Sequence, residues 1–265
     1  MMKNDIILKN FFIIKWQSFT ACNYNCSFCC QNKKNSFDFR RVILDASLIK
    51  ERIIEKINDQ ILISVSGGEL SILKIEDLIK VLEKLKSEKI KYIYITSNFS
   101  NTSEYYNKIN NWCKKNNIDF LLEISFHEKM VSEEIFFCKI KQLEFKPIAI
   151  QTVVTEENYL FMQKLKSRHS EITFEPNIYD DISKIKFDFK SQEKFRYNQK
   201  KENIFFQKKC LQNQISIKEN GDIYNNNCKL LKYGNLHDKF YLPPKNKYFI
   251  CTKKTCNNSH IQEII

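Results

Sequence analysis

The stretches ILISVS at residues 61–66 and YIYITS at residues 92–97 are continuous, or nearly so, in apolar and β-branched residues. Runs of this kind suit strands covered on both faces, as in a parallel sheet flanked by helices. Four further β-rich runs flank them, Phe11–Phe19, Phe120–Ser125, Pro147–Val154 and Glu171–Glu175. Between the runs lie longer segments with apolar residues at helical spacing, such as LDASLIKERIIEKIND at 44–59 and IEDLIKVLEKLKSEK at 75–89. Asp45 or Ser47 is the expected N-cap of the first of these helices. Alternation of this kind from residue 11 to about residue 176 is the mark of repeated βα units. The expected fold class is α/β, a partial (β/α)6 barrel.

The pattern changes after residue 180. Residues 180–209 are strongly charged and read as helical or linking, and QISIKENGDIYNN at 214–226 reads as a hairpin turning at Asn220–Gly221. The expected organisation is a barrel domain over residues 1–190 and a small C-terminal module of hairpin and helix over 191–265.

A chain of 265 residues with 43% hydrophobic content can bury a sizeable core, which excludes disordered and low-complexity classes. Lys3, Asp5, Lys9 and Lys15 interrupt the first twenty residues, so no signal peptide is expected, and no run reaches the roughly 18 apolar residues of a membrane span. Ten cysteines without an export signal belong in a reducing compartment, and a soluble cytoplasmic protein is expected. The net charge of +12 includes basic pairs such as Lys33–Lys34, Arg40–Arg41 and Lys208–Lys209. They form no nucleic-acid module; biased base composition alone accounts for a Lys-led excess of this kind, and an anionic substrate is the alternative reading.

The loop after the first strand reads TACNYNCSFCCQNK at 20–33, placing Cys22, Cys26 and Cys29 in the spacing C-x3-C-x2-C. Three thiolates in one loop can hold three irons of a [4Fe-4S] cube and leave the fourth open. In a parallel βα barrel this loop belongs to the carboxyl-terminal face, where active sites form.

With Phe28 just before the third cysteine, this loop resembles the signature of the radical S-adenosylmethionine (radical SAM) superfamily. The resemblance implies that the open iron is chelated by S-adenosylmethionine (AdoMet), with Phe28 packing near the adenine. SVSGGEL after the second strand resembles the family's Gly-Gly-Glu motif, so Gly67, Gly68 and Glu69 are expected to receive the AdoMet ammonium. Leu70 and Ser71 follow where the family usually has proline. Polar residues at later strand ends, Ser97 and Asn98, then Ser125, resemble the ribose and carboxylate contacts. Gln151 and an apolar Val153 or Val154 are expected on the adenosyl side. His127 is a candidate for catalysis or substrate contact, and otherwise a hydrogen-bonded structural residue.

Cys210, the hairpin, Cys228, then Cys251 and Cys256 resemble the auxiliary-cluster modules of this superfamily called SPASM and twitch. Four cysteines imply a single further [4Fe-4S] cluster. A zinc site with the same ligands, His260 replacing one, is the alternative. Cys113 and Cys138 are expected as buried filler on outer helices, and Cys30 as a candidate hydrogen-atom donor.

The resemblance implies reductive cleavage of AdoMet to a 5'-deoxyadenosyl radical that abstracts a substrate hydrogen, with a flavodoxin or ferredoxin as electron donor. An auxiliary cluster with four protein ligands has no iron free for substrate. It favours a net oxidation, of a ribosomal peptide or a small metabolite such as a sugar, over a redox-neutral epimerisation. The reading from another class is a non-catalytic metal-binding protein associated with nucleic acid.

Overall fold

The structure is a computed structural model that describes residues 11–26, 29, 34, 36–154, 158–176, 209–211, 213–225, 231–243, 248–250 and 263–264. Phe28, Cys30, Cys228, Cys251, Cys256 and His260 lie outside the described residues, as do the side chains of Val154 and Cys210 and the segment 177–208.

Six strands run parallel and in sequence order: β1 (Phe12–Phe19), β2 (Ile61–Gly67), β3 (Ile90–Ser97), β4 (Asp119–Phe126), β5 (Ala149–Val154) and β6 (Ile172–Pro176). Five helices follow the first five strands in turn: α1 (Phe39–Arg52), α2 (Ile75–Leu85), α3 (Ser103–Lys115), α4 (Glu133–Lys141) and α5 (Tyr159–Arg168). This is the expected partial (β/α)6 barrel.

Each strand has two different faces. Ile14 and Trp16 of β1, Ile63 and Val65 of β2, Ile93 and Ile95 of β3, and Leu122 and Ile124 of β4 are buried in one apolar cluster. Leu78, Val81, Leu82 and Leu85 of α2 belong to the same cluster. Burial of each such side chain stabilises the fold by about 1.5–3 kcal/mol. The alternate positions Lys15, Gln17, Ser64, Ser66, Tyr94, Thr96, Glu123 and Ser125 are half-buried and polar. The sheet therefore turns a polar face away from the helices.

Helix α1 begins earlier than its sequence pattern implied. Its N-cap is Asp38, whose side chain accepts from Arg40 N at 2.9 Å. Asp45 and Ser47, the expected caps, both lie inside the helix. Ser47 Oγ donates back to Ile43 O at 3.2 Å. Asp45 is 1% exposed and is tolerated there because Arg41 Nε lies 2.9 Å away and His237 Nε2 2.7 Å away. Burial still pushes its carboxyl above the ordinary range, against the pull of Arg41 and His237.

The C-terminal hairpin forms at the expected turn. Strands β8 (Gln214–Ile217) and β9 (Asp222–Tyr224) are antiparallel around Asn220–Gly221, and Gly221 adopts φ 85°, which favours glycine. The strand β10 (Lys232–Asn235) pairs with β9. The hairpin is not a separate sheet: β8 pairs in parallel with β1, from Ile13↔Gln214 to Trp16↔Ile217. One nine-stranded sheet in the order β10-β9-β8-β1-β2-β3-β4-β5-β6 results. Arg52 at the end of α1 ties the hairpin down, donating to Leu236 O and, at 2.5 Å, to Asp238 O, with its guanidinium 4.8 Å from the centre of the Phe240 ring. A second sheet joins β7 (Lys209–Leu211), β11 (Tyr248–Ile250) and β12 (Glu263–Ile264) in the order β11-β7-β12.

Among the described residues no helix is long and apolar enough to cross a membrane. Cys113 is fully buried, as expected, and its thiol is pushed up to about 12 by that burial. Cys138 departs from the expectation. It lies on the exposed side of α4, where Gln142 Nε2 comes within 3.9 Å of its sulfur.

Candidate functional site

The cysteine loop leaves β1 at Phe19 and is stitched to the Gly-Gly turn at the end of β2. Gly68 N donates to Phe19 O at 2.7 Å, and Glu69 N to Ala21 O at 2.8 Å. The approach is close enough to exclude side chains. A Cβ on Gly67 would sit 2.0 Å from Phe19 O, and one on Gly68 would sit 1.6 Å from Ala21 O. Gly67 also has φ 127°, so it requires glycine on both counts. The glycines thus serve a close backbone approach, and the partner in the structure is the cysteine loop.

Glu69 turns inward. It is 2% exposed, and its carboxylate accepts from Ser71 N at 2.9 Å, Ser97 Oγ at 2.8 Å and Asn98 N at 2.6 Å. Burial raises its pKa above the ordinary carboxylate range, and the hydrogen bonds from Asn98, Ser71 and Ser97 work against that rise. The carboxylate ties the end of β2 to the end of β3, while the half-buried Gly67 and Gly68 remain nearer the surface.

Ser97 is 1% exposed, with its hydroxyl shared between Glu69 and Tyr106 OH at 2.7 Å. Asn98 reaches the cysteine loop: its Nδ2 donates to Asn23 Oδ1 at 2.9 Å and lies 3.9 Å from Cys22 Sγ. The turn is completed by Phe99 at φ 56°, a left-handed conformation that costs energy for a bulky residue. Its ring packs on Tyr106 and Phe136, and Lys139 Nζ sits over it while donating to Phe99 O.

Cys22, Cys26 and Cys29 are all free thiols of intermediate exposure. Cys29 N donates to Cys26 O at 3.2 Å, closing a turn, and Tyr24 N donates to Cys22 Sγ at 3.4 Å. Cys26 Sγ lies 3.5 Å from His127 Nδ1, and the Tyr24 and His127 rings meet edge to face at 5.5 Å. Burial raises the Tyr24 phenol, with Glu69, Cys26 and Cys22 adding to the rise. Among the described residues no three His, Cys, Asp or Glu groups converge as a metal site. The donor set nevertheless suits an iron–sulfur cluster: three thiols on one loop, with side-chain nitrogens beside two of their sulfurs.

Ser125 and Gln151 face each other across the β4–β5 register, with Gln151 Nε2 3.4 Å from Ser125 Oγ. Gln151 also donates to Glu123 Oε1 at 2.6 Å, and Tyr94 OH donates to Glu123 Oε2. Val153 is half-buried on the same side of β5 as Gln151. Sequence reasoning missed Tyr94, Glu123 and the Tyr106 brace. The available signal was polar residues at alternate positions in strands β3 and β4.

Residues 14–141 match the family model of a 4Fe-4S single cluster domain. Among solved structures, the chain is similar to a hexahistidine-tagged anSMEcpe with bound AdoMet, at 16% identity and TM-score 0.57, over 86% of this chain and 78% of that one. It is equally similar to native anSMEcpe with bound AdoMet and the Kp18Cys peptide, at 14% identity and TM-score 0.58 over the same shares, and to the complex with the Cp18Cys peptide, at 15% and 0.58. No curated protein matches the sequence. At these identities the likeness is one of fold alone.

Proposed function

We propose that this chain is a radical SAM enzyme. The observation that carries this reading is a three-cysteine loop at the end of β1, hydrogen-bonded to a glycine pair at the end of β2, in a fold shared with an AdoMet-bound protein. Cys22, Cys26 and Cys29 would hold a [4Fe-4S] cluster. With AdoMet bound, that centre supplies one-electron cleavage of the cofactor to a 5'-deoxyadenosyl radical. The protein's own part is to position. The Glu69 brace fixes the ends of β2 and β3. The Gly67–Gly68 backbone would receive the AdoMet amino-acid end, and Asn98, Ser125, Gln151 and Val153 would hold its nucleoside. Phe28 is assigned to the adenine by resemblance alone.

The substrate class we favour is a peptide, oxidised in net terms, because the native anSMEcpe structures hold peptides beside AdoMet. A small metabolite such as a sugar is the second candidate. We assign Cys210, Cys228, Cys251 and Cys256 to an auxiliary cluster, in a module over residues 191–265. The register of the small sheet supports this: Cys210 on β7 pairs with Phe249, and β11 ends at Ile250, directly before Cys251 in sequence. A flavodoxin- or ferredoxin-type protein is the proposed electron donor.

The test is anaerobic reconstitution of wild type and a Cys22→Ala/Cys26→Ala/Cys29→Ala variant, with iron and sulfide counts. Deoxyadenosine is then measured chromatographically after adding dithionite and AdoMet. About eight irons in wild type, about four in the variant, and deoxyadenosine from wild type alone are expected. Equal deoxyadenosine from both would overturn the proposal.

A further inference from the structure

His127 directly follows β4, and its environment fixes both its backbone and its ring. Its carbonyl accepts from Met130 N at 2.9 Å and Val131 N at 3.2 Å, which closes the turn after the strand. The ring meets the edge of Tyr24, a residue of the cysteine loop itself. Nδ1 is thereby directed at Cys26 Sγ, 3.5 Å away, within hydrogen-bonding range for sulfur. The residue comes from a different βα unit than the thiol it touches, 101 positions away in sequence. It stands at the mouth of the barrel, and the assigned AdoMet contacts do not use it.

We infer that His127 acts through Cys26, its ring N–H donating to the thiolate and raising the reduction potential of the cluster held by that loop. The inference rests on the radical SAM reading. Reduction adds one electron, and hence one negative charge, to a centre whose sulfurs carry that charge. A donor aimed at one of those sulfurs stabilises the reduced form more than the oxidised one. The cluster therefore accepts its electron from a low-potential donor more readily with His127 than without it. Asn98 does less at Cys22, since its amide is 3.9 Å from that sulfur and already donates to Asn23.

The experiment is a redox titration of the anaerobically reconstituted full chain without AdoMet, at one fixed pH, using titanium(III) citrate and electron paramagnetic resonance. The signal followed is the one missing from the Cys22→Ala/Cys26→Ala/Cys29→Ala variant. His127→Phe, which removes the donor, should lower the equilibrium constant for reduction about tenfold, equivalent to about 59 mV for a one-electron couple. His127→Gln, which keeps an N–H, should recover most of that loss. In wild type labelled with ¹⁵N-histidine, pulsed resonance should detect one ring nitrogen coupled to the reduced cluster.

A His127→Phe equilibrium constant for reduction within about twofold of wild type, at full iron and sulfide content, overturns the inference. Should that variant fail to assemble a cluster, the labelled wild type decides alone: a coupled histidine nitrogen supports the inference and its absence overturns it. A wild type whose iron does not depend on Cys22, Cys26 and Cys29 would instead refute the radical SAM reading, and this inference with it.

Discussion

Replacing Gly68 with alanine isolates the junction on which the proposed site depends. The added Cβ would stand 1.6 Å from Ala21 O, 2.3 Å from Ala21 C and 2.7 Å from Thr20 C. All three are backbone atoms, so no side chain can swing aside. Bringing the tightest contact to 3.0 Å requires the two segments to separate by at least about 1.4 Å. The bonds from Gly68 N to Phe19 O and from Glu69 N to Ala21 O, now 2.7 and 2.8 Å, would then stretch past about 4 Å and be lost. Each lost bond costs about 1–3 kcal/mol, so losing both should cost the variant roughly 2–6 kcal/mol. For a chain of this size that is a fall in Tm of about 4–24 °C. The assay is thermal unfolding by circular dichroism of the anaerobic proteins, with iron content measured in parallel. A Tm within about 2 °C of wild type, at unchanged iron content, would refute the argument that these backbones are held together at the glycine pair.

Glu69 should give a pH signature. Its folded pKa is raised, so the native state holds the proton more tightly than the unfolded chain. Its contribution to stability is complete below the ordinary value of 4.5 and drains away as pH rises through the raised one. The stability excess of wild type over Glu69→Gln should therefore narrow as pH climbs from about 4.5 to 8; a constant excess would contradict this. Arg52→Ala should remove the two carbonyl contacts and the Phe240 stacking, costing about 1–3 kcal/mol. Amide exchange should then speed up in β8–β10, and unchanged exchange there would count against the docking role. Cys113, its thiol held near 12, should resist iodoacetamide in the native protein while Cys138 reacts. Peptide mapping that found both alkylated at one rate would show the α3 face to be open.

The barrel was legible because β-branched and apolar runs alternate along the chain with segments whose apolar residues recur at helical spacing. All six strands fall within two residues of their sequence-based bounds. The start of α1 was not legible, because the pull of an apparent cap at Asp45 ignored its partners: Arg41 is local, but His237 arrives from the far end of the chain. The cysteine spacing and the glycine pair stood out in the sequence, and the structure sets them against each other, since close approach demands glycine whatever the partner. What the glycines approach, and that Glu69 faces inward to Ser97 and Asn98, depends on how three separate strand ends meet. Tyr94 and Glu123 are not marked by any motif; they matter because every second residue of β3 and β4 turns to the polar face, where the two side chains meet. Cys138 was misplaced for a related reason: apolar neighbours in sequence do not settle which side of a helix a residue occupies.

The pairing of β8 with β1 has a consequence in time. Strand β1 acquires one neighbour, β2, about 50 residues later in synthesis, and its other neighbour only after about 200. Until β8 emerges from the ribosome, the strand that carries the cysteine loop keeps one edge of unpaired amides and carbonyls. A nascent chain can build its parallel units in order from β2 onward, yet its first strand is sealed last, a closure spanning most of the polypeptide. Chains halted before residue 214 therefore present an adhesive edge along Ile13–Trp16, in the strand that leads to Cys22, which makes completion of the C-terminal hairpin a requirement for the barrel's first strand.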